Sequence, residues 1–378
     1  MNFLYYLVSF FVIINVIVLV HELGHYLAAR KCGVKVEIFS LGMGSELFGF
    51  TDKHGTRWRF SMLPIGGYVM MAGDGDASST TDKGEESLEG LSEEDKAKSI
   101  ITKSNWEKMF VAFAGPFANY IYAFVVIVAM GFFYGVPKYA PIVGEVLKGS
   151  PAEKVGFLAG DKIISVDGNN IERYRDIVVN ISNSEKPEIN FVVEREGKQL
   201  SINVAPEITE KKRLFGGVKK TKLIGLKSPE PIFEKLSFMD SVSRAFKDCV
   251  STTKEMLNVF SRLFAGKKSL DDFGGVVHMA SVAGDLSKSG NFAVLIMFTV
   301  TLSLNLGFIN LFPLPVLDGG KIVICFIEQV LRRKFNRKLQ EYIMIVCAIL
   351  LIFLMLITTV NDIARIEVVS NFISKLLG

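Results

Sequence analysis

Residues 18–30 read VLVHELGHYLAAR. The uncharged run from Phe3 to Val20 leads straight into this stretch and is long enough to span a bilayer. His21 and His25 stand four positions apart, so on a helix they face the same way, about one turn apart. Two imidazoles so placed can hold one zinc ion. Glu22 sits beside them, where a carboxylate can take a proton from an attacking water. His-Glu-x-x-His is the zinc-hydrolase signature. Three ionisable groups near bilayer depth cost on the order of several kcal/mol unless they are paired or metal-bound.

The remainder of the chain supports a membrane setting. Of 378 residues 49% are apolar and the mean hydropathy is +0.34, more than a soluble core uses. Three further stretches can span: Met109 to Tyr134, Phe292 to Phe312 and Tyr342 to Val360. The expected fold class is a polytopic α-helical membrane protein with four transmembrane helices. It carries a membrane-associated β-hairpin or sheet and one extracytoplasmic PDZ-like β/α domain. The first span lacks a basic n-region and a small-x-small cleavage site, so it reads as a retained span, not a signal peptide.

Charge sets the topology. Arg30, Lys31, Lys35, Lys103 and Lys108 flank the segment between spans one and two. Lys321, Arg332, Arg333, Lys334, Arg337 and Lys338 lie between spans three and four. By the positive-inside rule both segments are cytoplasmic, and the long middle segment and the termini lie outside. The formal charge of +4 gives no reason to expect a nucleic-acid partner. Of the four cysteines only Cys249 falls outside, so no disulfide is expected in the outer domain.

Along the chain, residues 1–33 hold the first helix with the zinc motif. Residues 34–72 alternate polar and apolar, with a turn at Asp52-Lys53-His54-Gly55, and read as a β-hairpin or small sheet. Residues 73–106 read as a flexible acidic cytoplasmic loop. Asp74 and Asp76 there faintly resemble a calcium loop whose other ligand positions are missing. The second span is 107–136, with Gly115-Pro116 and Asn119 inside it.

Residues 137–206 carry SPAEKVGFLAGDKIISVDG, with turns at Asp167-Gly168 and Glu196-Gly197, and their order of elements resembles a PDZ domain. Such a domain binds a peptide by strand addition. Residues 207–290 form an extracytoplasmic connector. Within it Met239, Val242, Phe246, Cys249, Leu257, Phe260 and Phe264 mark an amphipathic helix, lying on the outer membrane face or packed on its own domain. Then come the third segment (291–320), a cytoplasmic loop or helix (321–341), the fourth span (342–362) and a tail (363–378).

Zinc held by two histidines needs a third protein ligand. Asp318, in NLFPLPVLDGG (310–320), is the candidate. Two prolines would break span three there, which is tolerated where backbone lines a cavity. A capping role for Asp318 before Gly319-Gly320 is the rival reading. His54 and His278 read as solvated or structural.

HELGH on the first span, NLFPLPVLDGG on the third and a PDZ-like region between spans two and three resemble the site-2 protease family, in its bacterial RseP type with a single PDZ domain. FSLGMG, LPIGGYVMM and AGPFAN extend the resemblance over most of the chain. The resemblance implies one zinc ion bound by His21, His25 and Asp318, with Glu22 as catalytic base. It implies that Asn310, with Gly66, Gly67 and Tyr68 of a membrane-reentrant β-loop, holds substrate. It also implies residence in the bacterial inner membrane, with the zinc site near the cytoplasmic side and the PDZ domain periplasmic. The expected partners are the lipid bilayer, single-span transmembrane or signal-peptide substrates, and a peptide at the PDZ domain. Two departures stand out: many RseP proteins have two PDZ domains, and many have His where this chain has Lys321. The alternatives are a non-proteolytic PDZ scaffold, which would not need Glu22, and a zinc transporter, which has no place for the β-loop.

Overall fold

The computed structural model of the chain describes residues 2–73, 92–184, 186–212, 218–230, 232–265 and 275–364. Asn2–Lys31 contains no proline and forms α1. Two extended segments follow, β1 (Val36–Thr51) and β2 (Arg57–Met71). Ser92 caps the short α2 (Glu93–Ala97) by accepting from the Asp95 N–H. Next come α3 (Asn105–Ala129) and a π-helical turn over Met130–Tyr134. The middle of the chain holds β3 (Val136–Lys138), β4 (Glu145–Val146), α4 (Pro151–Lys154), β5 (Lys162–Val166), β6 (Asn169–Asn170) and α5 (Tyr174–Asn183). It continues through β7 (Ile189–Arg195), β8 (Lys198–Val204), β9 (Glu207–Lys212), β10 (Val218–Leu223), β11 (Leu226–Lys227) and β12 (Ile232–Glu234). Five helices follow: α6 (Phe238–Phe264), α7 (Val276–Lys288), α8 (Phe292–Asn310), α9 (Asp318–Leu331) and α10 (Arg337–Ala364).

Four helical stretches are long and apolar enough to cross a membrane: Tyr5–Lys31, Asn105–Tyr134, Phe292–Asn310 and Lys338–Val360. Most of the acidic segment, including Asp74 and Asp76, lies outside the described residues, as does 365–378. By packing the chain divides into two units, Met1–Val128 with Val242–Gly378, and Ala129–Ser241.

In the first unit, small residues bring helices close. A Cβ on Gly24 would lie 2.3 Å from the Ala114 carbonyl oxygen and 2.7 Å from Ala118 Cβ, so α1 and α3 touch there at backbone distance. Phe10, Ile13 and Ile17 of α1 cluster with Ala283 of α7 and Leu302 of α8. Asp362, near the end of α10, accepts from the N–H groups of Gly275 (3.0 Å) and His278 (2.9 Å). A carboxylate thereby caps the positive end of α7.

The amphipathic helix, α6, packs within the first unit from Val242 onward. It runs along α3 and α8: Tyr120 and Thr253 share a hydroxyl hydrogen bond of 3.0 Å, and the Phe260 ring lies 4.7 Å from that of Phe312. The packed stripe keeps Cys249 and Phe260 of the expected one and departs from it elsewhere. Ala245 and Cys249 are buried among Ala123, Ile127, Val300 and Leu304, while Met239, Phe246 and Leu257 are exposed. Close helix approach inside a bilayer selects small residues, which a search for large apolar ones passes over.

The β-region is richer than a hairpin. Val36 to Leu41 pairs antiparallel with Met71 to Gly67. On its other side the same segment runs in step with 57–60, Ile38 opposite Arg57 and Leu41 opposite Phe60. Residues 46–51 then pair antiparallel with 57–61. The order across the sheet is 46–51, 57–61, 36–41, 67–71, a mixed sheet folded from two bent strands. The segment 62–66, which joins 57–61 to 67–71, is held to α1, where Asn15 Nδ2 donates to the Pro64 carbonyl at 2.7 Å. Among the described residues no strand pairs on the far side of 67–71.

The second unit has its own core. Its main sheet has the order β6-β5-β7-β8. Asp167-Gly168 and Glu196-Gly197 all have positive φ, the conformation that tight two-residue hairpins require. Phe191, Ile163, Ile189, Val193 and Val204 pack with Ile177 and Ile181 of α5. The core also takes in Ile224, and β11 pairs with β4, so the unit continues past residue 206. Its ends meet where Val136 of β3 pairs with Glu234 of β12.

Candidate metal centre

The site is built where α1, α3 and α9 converge. On α1, His21 and His25 are buried and their rings meet edge to face, with centroids 4.8 Å apart. Helix α8 stops at Asn310, and Pro313 and Pro315 follow in the break. Asp318 opens α9. A Cβ on Gly319 would lie 2.3 Å from the Leu311 carbonyl oxygen, and one on Gly320 would lie 2.2 Å from that of Leu314. The two glycines let the broken segment fold back over the start of α9. No side chain caps α9, and the Asp318 carboxylate turns to the histidines instead.

Asp318 Oδ2 lies 3.1 Å from His21 Nε2 and 3.4 Å from His25 Nε2, and the two Nε2 atoms are 3.2 Å apart. A tetrahedral ion with bonds of about 2.0–2.1 Å has neighbouring ligand atoms roughly 3.3 Å apart. The triangle therefore has the dimensions of one face of a zinc tetrahedron, with a fourth position left for a reactant. Among the described residues this is the group of His, Cys, Asp and Glu that could hold a metal ion.

The face of α3 opposite the histidines is shaped for them. His25 Nδ1 donates to the Val111 carbonyl at 2.8 Å, which leaves Nε2 for the ion. One turn on, a Cβ at Gly115 would lie 2.3 Å from His25 Nε2 and 2.9 Å from His21 Nε2. Any other residue there would fill the centre. A further turn on, the Asn119 amide lies 3.2 Å from His21 Nδ1. The sequence held this signal in AGPFAN, where the glycine and asparagine are four apart, but no role could be assigned before α1 and α3 were seen side by side.

The other candidates also fall near the centre. Asn310 Nδ2 lies 3.3 Å from His21 Nε2. Glu22 is half-buried, and a Cβ on Gly67 would lie 3.5 Å from its Cγ and 2.7 Å from the Ser40 carbonyl oxygen. The strand 67–71 thus passes the carboxylate at backbone distance. Gly66 has φ +75°, and the Tyr68 ring faces the Arg59 guanidinium at 5.0 Å. His54 stays apart in the Asp52 turn.

A ligand triangle whose two histidines sit on a helix apolar enough to cross a membrane defines a membrane metalloenzyme. The chain belongs to peptidase family M50, the site-2 protease family, whose sequence profile it matches over residues 9–354. It is 35% identical over 343 residues to a protein of Mesorhizobium japonicum described as a candidate zinc metalloprotease, covering 90% of this chain and 93% of that one. A similarly described protein of Brucella suis is 35% identical over 339 residues, 89% of each. Metalloprotease MmpA of Caulobacter vibrioides is 32% identical over 389 residues, covering 97% of both. The protein is a zinc-dependent, multi-pass membrane protease.

Proposed function

We propose that this protease cleaves single-span membrane segments, either membrane-anchored anti-sigma factors or remnant signal peptides, as part of regulated intramembrane proteolysis in a bacterial inner membrane. The observation that carries this reading is the His21–His25–Asp318 triangle, its two histidines on a membrane-length helix, with Glu22 beside an open strand edge. His21, His25 and Asp318 are the ligands, and Glu22 is the general base. When bound, zinc lowers the pKa of water and polarises the scissile carbonyl.

A transmembrane helix hides its peptide bonds in its own hydrogen bonds. The free edge of 67–71, with Gly67 and Tyr68 in it and Gly66 just before it, replaces those bonds by strand addition. The Asn310 amide holds a further backbone group of the substrate. Glu22 takes the proton of the attacking water and hands it to the leaving amine. The β/α module, 129–241, acts as the extracytoplasmic PDZ-like filter that admits substrates already trimmed outside.

Purified wild type and Glu22→Gln, incubated with a single-span substrate in detergent, test the chemistry. Zinc is expected in both, with cleavage slowed about 10²–10⁴-fold in the variant. Cleavage at the wild-type rate would remove Glu22 as base. Loss of zinc-loaded wild-type cleavage on every single-span substrate would favour a scaffold. Excising 137–233, between the paired ends Val136 and Glu234, should permit cleavage of untrimmed substrates. A change in expression alone would end the filter reading.

A further inference from the structure

A histidine that binds a metal through Nε2 must carry its hydrogen on Nδ1, and that N–H needs an acceptor. His25 has one in the Val111 carbonyl. Among the described residues, His21 has no backbone carbonyl in that place. What faces its Nδ1 is the side-chain amide of Asn119, at 3.2 Å.

Asn119 is completely buried, and one end of its amide, Oδ1, has no hydrogen-bond partner. A buried amide oxygen without a donor is costly and calls for an explanation. With the NH₂ end toward Nδ1, the amide suits a ring whose hydrogen is on Nε2. An ion on Nε2 would require that hydrogen on Nδ1. A half-turn about the Cβ–Cγ bond would then present the amide oxygen to it. Few side chains offer a donor on one end and an acceptor on the other, and an amide does so without a net charge in the bilayer.

The backbone holds this group in place. The Ser303 hydroxyl of α8 donates to the Asn119 carbonyl at 3.1 Å. Val111, Gly115 and Asn119 recur every four residues on one face of α3. Antiparallel to them run His25 and His21 on α1. The first supplies an acceptor for one ring, the second supplies room, and the third supplies an acceptor for the other ring.

We propose that Asn119 is a positioning residue for the metal centre: its amide fixes the ring orientation and tautomer of His21, giving Nδ1 its acceptor when Nε2 binds zinc. The inference rests on the ligand set of the proposed function. It requires that residue 119 offer an oxygen to His21, not merely fill space.

The test is zinc affinity of the full-length protein in detergent, measured by competition with a chromogenic chelator. Four proteins are compared: wild type, Asn119→Leu, Asn119→Asp and Asp318→Asn. Asn119→Leu keeps the volume and removes the acceptor, and should weaken zinc binding about 10–100-fold. Asn119→Asp keeps an oxygen facing Nδ1 and should stay near wild type. Equal affinity of the Leu variant and wild type would overturn the proposal, as would an Asp variant as weak as the Leu variant. If the Leu variant is not monodisperse, the Asp variant decides alone, and a loss of about tenfold or more in it overturns the proposal. Asp318→Asn separates the two levels. If that variant binds zinc as wild type does, the ligand set is wrong. If it loses zinc while Asn119→Leu does not, only the role of Asn119 is wrong.

Discussion

Asp161 and Asp318 are both buried carboxylates, and the chain treats them differently. Asp161 is 1% exposed and receives two guanidinium bonds from Arg195, each 2.7 Å. Burial alone would raise its carboxyl, but the bonds from Arg195 and the Leu158 N–H hold it below the usual carboxylate range. Its charge is balanced from within the chain. Asp318 is 13% exposed and faces two imidazoles, which offer lone pairs but, when neutral, no charge. A buried charge with a cationic partner in the chain is architecture. One whose neighbours are metal-ligating imidazoles with no fixed positive charge is a receptor for a cation.

The strongest way to break this contrast is to remove the unmatched carboxylate. Asp318→Asn should lower zinc from near one ion per chain to near none, as read by atomic emission, with helical content unchanged. Full occupancy would place the third ligand elsewhere. Gly115→Val attacks the same centre from α3. It should also strip zinc, because its side chain would occupy the space of both Nε2 atoms.

The module is expected to respond in stability, not in metal. Ile224→Ala should cost about 2–5 kcal/mol of its unfolding free energy in urea, with zinc retained. A neutral outcome would mean that the core closes before residue 224. Asp161→Asn should cost less, about 1.5–3 kcal/mol near pH 6. The sign with pH follows from the depressed carboxyl. Its contribution is complete above the unfolded value of about 3.9 and fades as pH falls through the lower folded value. Wild type and variant should therefore converge below that range. A gap that persists there would assign the effect to packing. The smallest effect expected is that of Thr253→Val, which removes the Tyr120 hydrogen bond. Bonds between membrane helices average about 0.6 kcal/mol, so thermal midpoints should barely move.

Much of this was legible in the sequence, and the gaps have physical causes. The four apolar helices and the His-Glu-x-x-His face depend on local periodicity, which a sequence displays directly. The turns at Asp167-Gly168 and Glu196-Gly197 were visible because positive φ restricts residue choice. The mixed sheet was not visible. Bent strands such as Val36–Thr51 pair on both edges, and pairing between 36–41 and 57–60 leaves no local mark. Gly115 and Asn119 stood in plain sight without a function, because their function is to face two residues about ninety positions away. Part of the stripe on α6, at Met239, Phe246 and Leu257, differs from expectation for a related reason, since close packing on α3 and α8 favours Ala245 over Phe246.

That helix has a consequence for its surroundings. Its packed side follows α3 and α8 down to Phe312, but Arg244, Lys247, Lys254, Glu255 and Arg262 occupy the opposite side, exposed. Acyl chains do not seal against a charged flank of this kind without thinning or admitting water. A hydrolase working inside oil needs its second reactant delivered, and charged side chains of this kind are among the few surfaces that hold water against a membrane.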